Sequence, residues 1–259
     1  MKISIVTPSF NQGAFIAEAI ESVLAQQDAN VEHIIVDNCS TDNTLEVLSR
    51  YPHLKVVCEK DQGQSDALNK GFKAATGDIV GWLNADDRYL PGCFDHIRDA
   101  FDRRSELDIV YGDYRLVDGK GVLIRVRKEL GFDMFMLKYL HVLYIPTTSA
   151  FFRRKVFDEG NFLDINYHYA MDYEFFLRLA IQGYKFGHVS ALMADFRWHE
   201  DNKSNKNTQR QDQERETALL RQDVFLRSVP IAFRPPVRVF LMVTARLKRT
   251  LLKLVQGAY

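Results

Sequence analysis

The chain carries no excess of charge. Lys plus Arg number 34, Asp plus Glu number 34, and the formal net charge is +0 over 259 residues. That balance lacks the electrostatic footprint of a nucleic-acid binder. Cysteine is scarce: Cys39, Cys58 and Cys93 are an odd set with no Cys-x-x-Cys spacing. This excludes a disulfide framework and a thiolate zinc site, and it reads as reduced, cytoplasmic thiols. No apolar run is long enough to span a bilayer, and there is neither an internal repeat nor a low-complexity segment. A secretory leader is not expected, since Lys2–Thr7 begins a strand at once. Residues 8 to 13 contain no Lys or Arg, and no acidic residue follows Asp223.

The most informative stretch is EKDQGQSDALNKGFKAATGDIVGWLNADD, residues 59–87. A polar, Gly-containing turn at 61–65 opens a helix with Ala67, Leu68, Phe72 and Ala75 on its apolar side, and Gly77 stops it. The continuous apolar run Ile79–Leu83 predicts a strand buried on both faces. It delivers Asp86 and Asp87 to its C-terminal, exposed end, where open α/β sheets bind ligands. Adjacent carboxylates there are either a polar turn or hard oxygen ligands for a divalent metal.

Other segments repeat the pattern. KISIVT (2–7) predicts a strand that runs into the polar loop Pro8–Gly13. An amphipathic helix follows, with Ile16, Ile20, Val23 and Leu24 on one stripe. Val31–Val36 is a strand ending in DNCSTDNT (37–44), a Ser/Thr/Asp-rich helix start. Leu54–Cys58 is a further short strand. Alternating strand and helix to about residue 104 predicts a parallel sheet, with the polar clusters at 7–11, 37–42 and 86–87 on one rim.

In these segments the sequence resembles the family-2 inverting glycosyltransferases of GT-A fold. The resemblance rests on SIVTPSFNQGAFIAEAIESVLAQ, VDNCSTDNT, DQGQSDALNKGFKAATGDIVGWLNADD and MDYEFFLRLA, in that order between residues 3 and about 182. Two positions depart from the pattern: Asn84 stands where Asp is frequent, and Met171 where Glu is frequent. The resemblance implies a Rossmann-like, mostly parallel central sheet flanked by helices. It also implies transfer of a sugar, with inversion, from a nucleotide-sugar donor (UDP-, GDP- or dTDP-linked) to a glycan or lipid-linked acceptor, in bacterial envelope polysaccharide synthesis. Mn²⁺ or Mg²⁺ is the implied cofactor.

It also distributes roles. Thr7, Pro8, Ser9 and Asn11 match the nucleotide-binding loop. Asp37 can accept a hydrogen bond from a base N–H or a ribose hydroxyl, and the resemblance favours the base; otherwise it caps the helix near Thr41. Gln64 and Ser65 either contact base or ribose or simply cap their helix. Asp86 meets the ribose or a metal-bound water, Asp87 coordinates the metal on the diphosphate, and His199 is a second metal ligand. In a metal-free alternative, Arg197 takes the diphosphate. Asp172, in the first turn of its helix, is the general base; Glu174 points elsewhere and Arg178 is structural.

The rest of the chain reads less sharply. Asp108–Tyr114 is a strand, 115–127 a hairpin turning at 118–121, and Phe132–Leu140 a short core helix. Ala150–Arg153 and Leu192–Phe196 are strands. A catalytic domain over 1–204 is expected, split near 104 into nucleotide and acceptor halves, with a helical extension over 205–259. Residues 205–215 read as an exposed helix or mobile loop. Pro235-Pro236 separates two helical segments, and Val237–Val255 predicts a basic amphipathic helix. Its basic residues make it either a peripheral anchor on an anionic membrane surface, at the inner face of the plasma membrane, or a helix that packs on the domain or pairs in a homodimer. A nucleotidyltransferase of related fold would want a basic Gly-rich first loop, which residues 8–13 lack. A non-catalytic module would not need to retain both Asp87 and Asp172.

Overall fold

A computed structural model describes residues 1–140, 142–200, 202 and 207–256. One nine-stranded sheet forms the centre. Its order is β3–β2–β1–β4–β8–β6–β9–β5, with β7 paired to β6.

The first half follows the alternating pattern. β1 (Ile3–Ser9), β2 (Val31–Asp37), β3 (Lys55–Cys58) and β4 (Ile79–Trp82) run parallel, interleaved with α1 (Ile16–Leu24), α2 (Thr44–Ser49) and α3 (Gln64–Ala74). β1 is buried at every position, which is why its apolar residues are continuous rather than alternating. Gly77 passes close under β1. A Cβ there would lie 2.7 Å from the Ser4 backbone nitrogen, and the Gly77 N–H donates to Ser4 Oγ at 2.8 Å. The close approach of the chain to β1 therefore requires glycine at 77, although α3 itself has already ended at Ala74, three residues before the expected stop.

The second half is mixed. β5 (Arg88–Tyr89) and α4 (Cys93–Arg103) lead to β6 (Ile109–Asp118), whose hairpin partner is β7 (Leu123–Arg127). β8 (Ala150–Arg153) is antiparallel to both β4 and β6 and so joins the halves. β9 (Phe186–Trp198) lies parallel to β6 along its whole length. It begins well before the Leu192 of the sequence expectation, because Phe186–Val189 is ordered by β6 rather than by any apolar run of its own.

Between these strands lie α5 (Met134–Tyr139), α6 (Lys155–Asp158) and α7 (Met171–Ile181). α7 buries Phe175, Phe176 and Leu179, and Phe152 of β8 stacks on Phe176 at 5.9 Å between ring centres. This aromatic packing fixes the helix that carries Asp172 against the sheet.

The extension is helical: α8 (Thr208–Gln222), α9 (Val224–Ser228), a 3-10 turn (Ile231–Phe233) and α10 (Arg234–Gln256). Of the segment read as exposed helix or mobile loop, residues 208–215 are the exposed to half-buried start of α8, in line with the helical alternative; Ala218 and Leu219 are buried further along, and Gln211 lines the cavity described below. Residues 205–206 of that segment, and the expected 204/205 boundary, lie outside the described residues. One expectation is corrected. Pro235-Pro236 does not separate two helices. Both prolines sit in the first turn of α10, where their missing N–H groups have no intrahelical partner to lose.

Candidate active site

The rim predicted from the strand ends exists. Ser9 Oγ donates to Asp37 Oδ2 at 2.8 Å, and Asn38 N–H donates to Ser9 O at 2.9 Å. These ends open into a cavity of about 390 Å³. It is lined by Pro8, Ser9 and Asn38 from the first two strand ends, by Gly63, Gln64 and Asn84, by Asp86 and His199, and by Tyr169, Asp172 and Gln211.

The expected site residues fall into two groups. Pro8, Ser9, Gln64, Asp86, Asp172 and His199 line this cavity. Thr7, Asn11, Asp37, Ser65 and Asp87 stand behind it and brace it. Thr7 is fully buried, with Oγ1 2.9 Å from His33 Nε2. Asn11 adopts φ 53°, and its Oδ1 accepts the Thr41 N–H at 2.9 Å, tying the first loop to the second. Asp37 is fully buried and accepts from the Ser40 N–H and from the hydroxyls of Ser9 and Ser40, at 2.7 to 2.8 Å. Its carboxylate therefore holds Ser9 and the Asn38 segment in place. Ser65 Oγ donates to Tyr167 O at 3.2 Å, which joins the start of α3 to the chain before α7.

The acidic pair is arranged differently from the sequence expectation. Asp86 faces the cavity, and its Oδ2 lies 3.0 Å from His199 Nε2. Asp87 is 2% exposed and points the other way. It accepts from Thr148 Oγ1 at 2.7 Å, the Arg197 N–H at 2.9 Å and Asn84 Nδ2 at 3.0 Å. Burial, with the Asp86 charge beside it, raises the Asp87 carboxyl above the ordinary range, against the lowering effect of those three donors. Asp87 thus does not sit at an exposed strand end. The two lie in the turn between β4 and β5, closed by the Asp87 N–H donating to Asn84 O at 3.1 Å, and this turn sends their side chains different ways.

Arg197 is also displaced from its alternative role. Its guanidinium is spent on Asp86 O at 2.8 Å, Gly119 O at 3.0 Å and Glu18 Oε2 at 2.6 Å, and it stacks over Phe15. Phe15 in turn stacks on the His199 ring at 5.0 Å. Arg197 is a buried support for the Asp86–His199 rim, not a cavity cation.

Asp172 lines the cavity at the first turn of α7. Burial raises its carboxyl above the ordinary range. The neighbouring Tyr173 N–H, which donates to Oδ1 at 2.7 Å, and the Arg215 charge act in the opposite direction. Glu174 is withdrawn: its carboxylate is paired with Arg178 at 2.8 Å.

Sequence reasoning missed several participants. Asn84 is a hub. Its Oδ1 accepts from Gln64 Nε2 at 3.0 Å and from Trp82 Nε1 at 2.9 Å, while its amide nitrogen donates to Asp87. Glu214 of α8 accepts the N–H groups of His168, Tyr169 and Ala170 at 2.7 to 3.0 Å with a single oxygen. It fixes the entry to α7 and hence Asp172. The polar-to-apolar change at 217–220 was the available signal for α8, but nothing local says where that helix docks.

The cavity walls have a clear charge character. Among the described lining residues there are three carboxylates, Asp61, Asp86 and Asp172, and no Lys or Arg. Among the described residues no group of three or more His, Cys, Asp or Glu could by itself enclose a metal.

Comparison with known proteins identifies the family and the fold. Residues 4–160 match Glycosyl transferase family 2, and the chain belongs to that family. An uncharacterized glycosyltransferase of Nostoc sp. is 36% identical over 129 residues, which is 46% of this chain and 40% of that protein. The chain thus spans less than half the length of that relative. Among solved structures, S. aureus TarS 1–349 in complex with UDP-GlcNAc superposes with a TM-score of 0.65 at 19% identity, covering 95% of this chain and 79% of that one. A mannosyltransferase from Pyrobaculum calidifontis in complex with GDP-Man and Mn²⁺ gives 0.66 at 17%, covering 95% and 73%. At such identities the likeness establishes the fold. The chain is a family-2 glycosyltransferase of GT-A fold.

Proposed function

We propose that the chain transfers a sugar from a nucleoside-diphosphate sugar (UDP-, GDP- or dTDP-linked) to a hydroxyl of a glycan or lipid-linked acceptor, with inversion. The observation that carries this reading is the shared cavity, in which Asp172 and the Asp86–His199 pair look into one space. Solved proteins of the same fold, bound to UDP-GlcNAc and to GDP-Man, support a nucleotide-sugar donor.

Pro8, Ser9, Asn38 and Gln64 hold the nucleotide, with Asp37, Asn11 and Asn84 bracing them. Asp172 accepts the proton of the acceptor hydroxyl. The acceptor oxygen then bonds to the anomeric carbon as the bond from that carbon to the diphosphate oxygen breaks on the opposite face, which inverts the configuration. The raised proton affinity of this half-buried carboxyl suits this task, because a weak base would take the proton poorly. Glu214 keeps that carboxyl in position through the backbone before α7.

A diphosphate meeting three carboxylates and no cation needs a counter-charge. Asp86 and His199 offer an oxygen and an imidazole nitrogen within 3.0 Å of each other, a donor pair that would hold Mn²⁺ or Mg²⁺. When bound, the ion supplies Lewis-acid charge to the departing diphosphate.

The test is turnover of a nucleotide-sugar panel, read as release of nucleoside diphosphate, with the product's anomeric configuration assigned by NMR. Inverted product supports the proposal. Retained configuration, or donor binding without any turnover against glycan and lipid-linked acceptors, overturns it.

A further inference from the structure

The C-terminal helix is oriented the opposite way from a surface anchor held by charge. α10 turns its cations inward. Arg238 pairs with Glu216, Lys248 with Asp133, and Arg249 with Glu129, while Lys253 Nζ donates to Lys128 O at 2.7 Å. Ala245 on this side is fully buried. The outward side is apolar. Val239, Phe240, Val243, Leu247, Leu251 and Leu254 follow one another at helical spacing, and four of these, Phe240, Leu247, Leu251 and Leu254, are each 60% exposed or more. Ile231 and Phe233 of the preceding 3-10 turn are exposed as well. A contiguous face of large apolar side chains is a docking surface, unlike scattered exposed leucines.

We propose that this face seats in the headgroup–acyl boundary of a lipid bilayer, with α10 lying along the surface. Two observations choose lipid over a second copy of the chain. From Val224 to the end there is no Asp or Glu, while Arg227 and Arg246 are exposed and can meet lipid phosphates. Arg246 lies at the midpoint of the stripe from Val239 to Leu254, so a two-fold pairing of these faces would bring the two Arg246 side chains together with no acid between them. Among the described residues no helix is long and apolar enough to cross a membrane, and a helix with one apolar side lies flat instead. Because most of the helix's cations are already paired within the protein, attachment is driven chiefly by apolar insertion. Anionic lipid strengthens it but is not required. The inference does not rest on the glycosyl-transfer reading.

The experiment is cosedimentation of the full chain with vesicles of phosphatidylcholine alone and of phosphatidylcholine with phosphatidylglycerol. Binding to both is expected, and binding should persist at high salt, where the Debye length has shrunk from about 10 Å at 0.1 M to about 3 Å at 1 M. The double variant Leu247→Asp/Leu251→Asp should lose roughly tenfold or more of its vesicle partitioning, since partitioning scales with inserted apolar area. Its melting temperature and donor binding should not change. Leu247→Trp provides a readout that leaves the face apolar: its emission should shift to the blue on vesicles of either kind. Three results would overturn the proposal. Binding confined to anionic vesicles and released by salt would mean purely electrostatic attachment. A dimer in light scattering that the double variant abolishes would mean self-pairing. Unshifted Leu247→Trp emission on vesicles would mean that no lipid covers this face.

Discussion

Asp86 and His199 meet at 3.0 Å across 113 positions of sequence, one at the end of β4 and the other just past β9. Two features hold them there. Arg197 grips the Asp86 carbonyl from behind, and Phe15 lies flat on the imidazole. Neither residue is needed to keep the sheet together. Asp86→Asn and His199→Ala should therefore each remove most of the activity while shifting stability by no more than about 0.5 kcal/mol. Both should also abolish the extra thermal stabilisation that a nucleoside diphosphate gains from added Mn²⁺. Metal-dependent stabilisation that survives in both variants would move the ion elsewhere.

Asp87 should behave in the opposite way. Its two oxygens accept three donors in a buried site. An amide in its place must turn its own N–H groups either toward the Arg197 N–H or toward the Asn84 amide. Asp87→Asn should thus lower the unfolding free energy by about 1–3 kcal/mol, the cost of leaving a buried donor unpaired. Activity should fall with it, because Thr148, Asn84 and the Arg197 backbone all shift together. Denaturant titrations of Asp86→Asn and Asp87→Asn side by side decide the matter, and equal stability of the two would refute the division of roles.

Asp172→Asn separates chemistry from binding. The residue lines the same cavity as Pro8, Ser9 and Asn38 but belongs to α7, not to the strand ends. Turnover should drop by about 10²- to 10⁴-fold, the usual worth of a general base. Affinity for the donor, measured by calorimetry, should stay within a factor of about two, the signature of an interaction made in the transition state. A large loss of donor affinity would show that Asp172 holds the sugar instead.

Much of this was legible in the sequence, and the exceptions share causes. β1, β2, β4 and β8 announce themselves as short apolar runs, and β8 lies at Ala150–Arg153 as expected. Those strands are buried on both sides, so composition alone marks them. β5 is only two residues long and β9 starts in a polar stretch; both are made by partners far away in sequence. The rim residues were found, but their order was not. Whether Asp86 or Asp87 faces the ligand depends on the phase of the chain after β4, and two identical adjacent side chains carry no record of phase. The orientation of α10 was hidden likewise. Its sequence shows apolar and basic faces, but only the acids Glu129, Asp133 and Glu216, distant in sequence, decide that the basic side turns inward.

The last prediction concerns acid stability and rests on His33. The ring lies in β2 beside the end of β1, 1% exposed, with Nε2 beside Thr7 Oγ1 and Nδ1 without a partner. Burial, with a smaller push from the His53 charge, lowers its pKa from 6.5 to about 3. The neutral ring is therefore the folded form. Below 6.5 the unfolded chain takes up a proton that the folded chain refuses until about 3. The contribution of His33 to stability is thus complete above 6.5 and is lost progressively as the pH falls toward 3. From about pH 7 to about pH 5 this one residue should cost about 2 kcal/mol of unfolding free energy. His33→Gln keeps an acceptor for the Thr7 hydroxyl and removes the titration. Whatever the variant's absolute stability, its loss between the two pH values should be smaller by about that amount. Denaturant curves for both proteins at each pH measure the difference directly. Parallel losses in parent and variant would place the acid sensitivity outside β2.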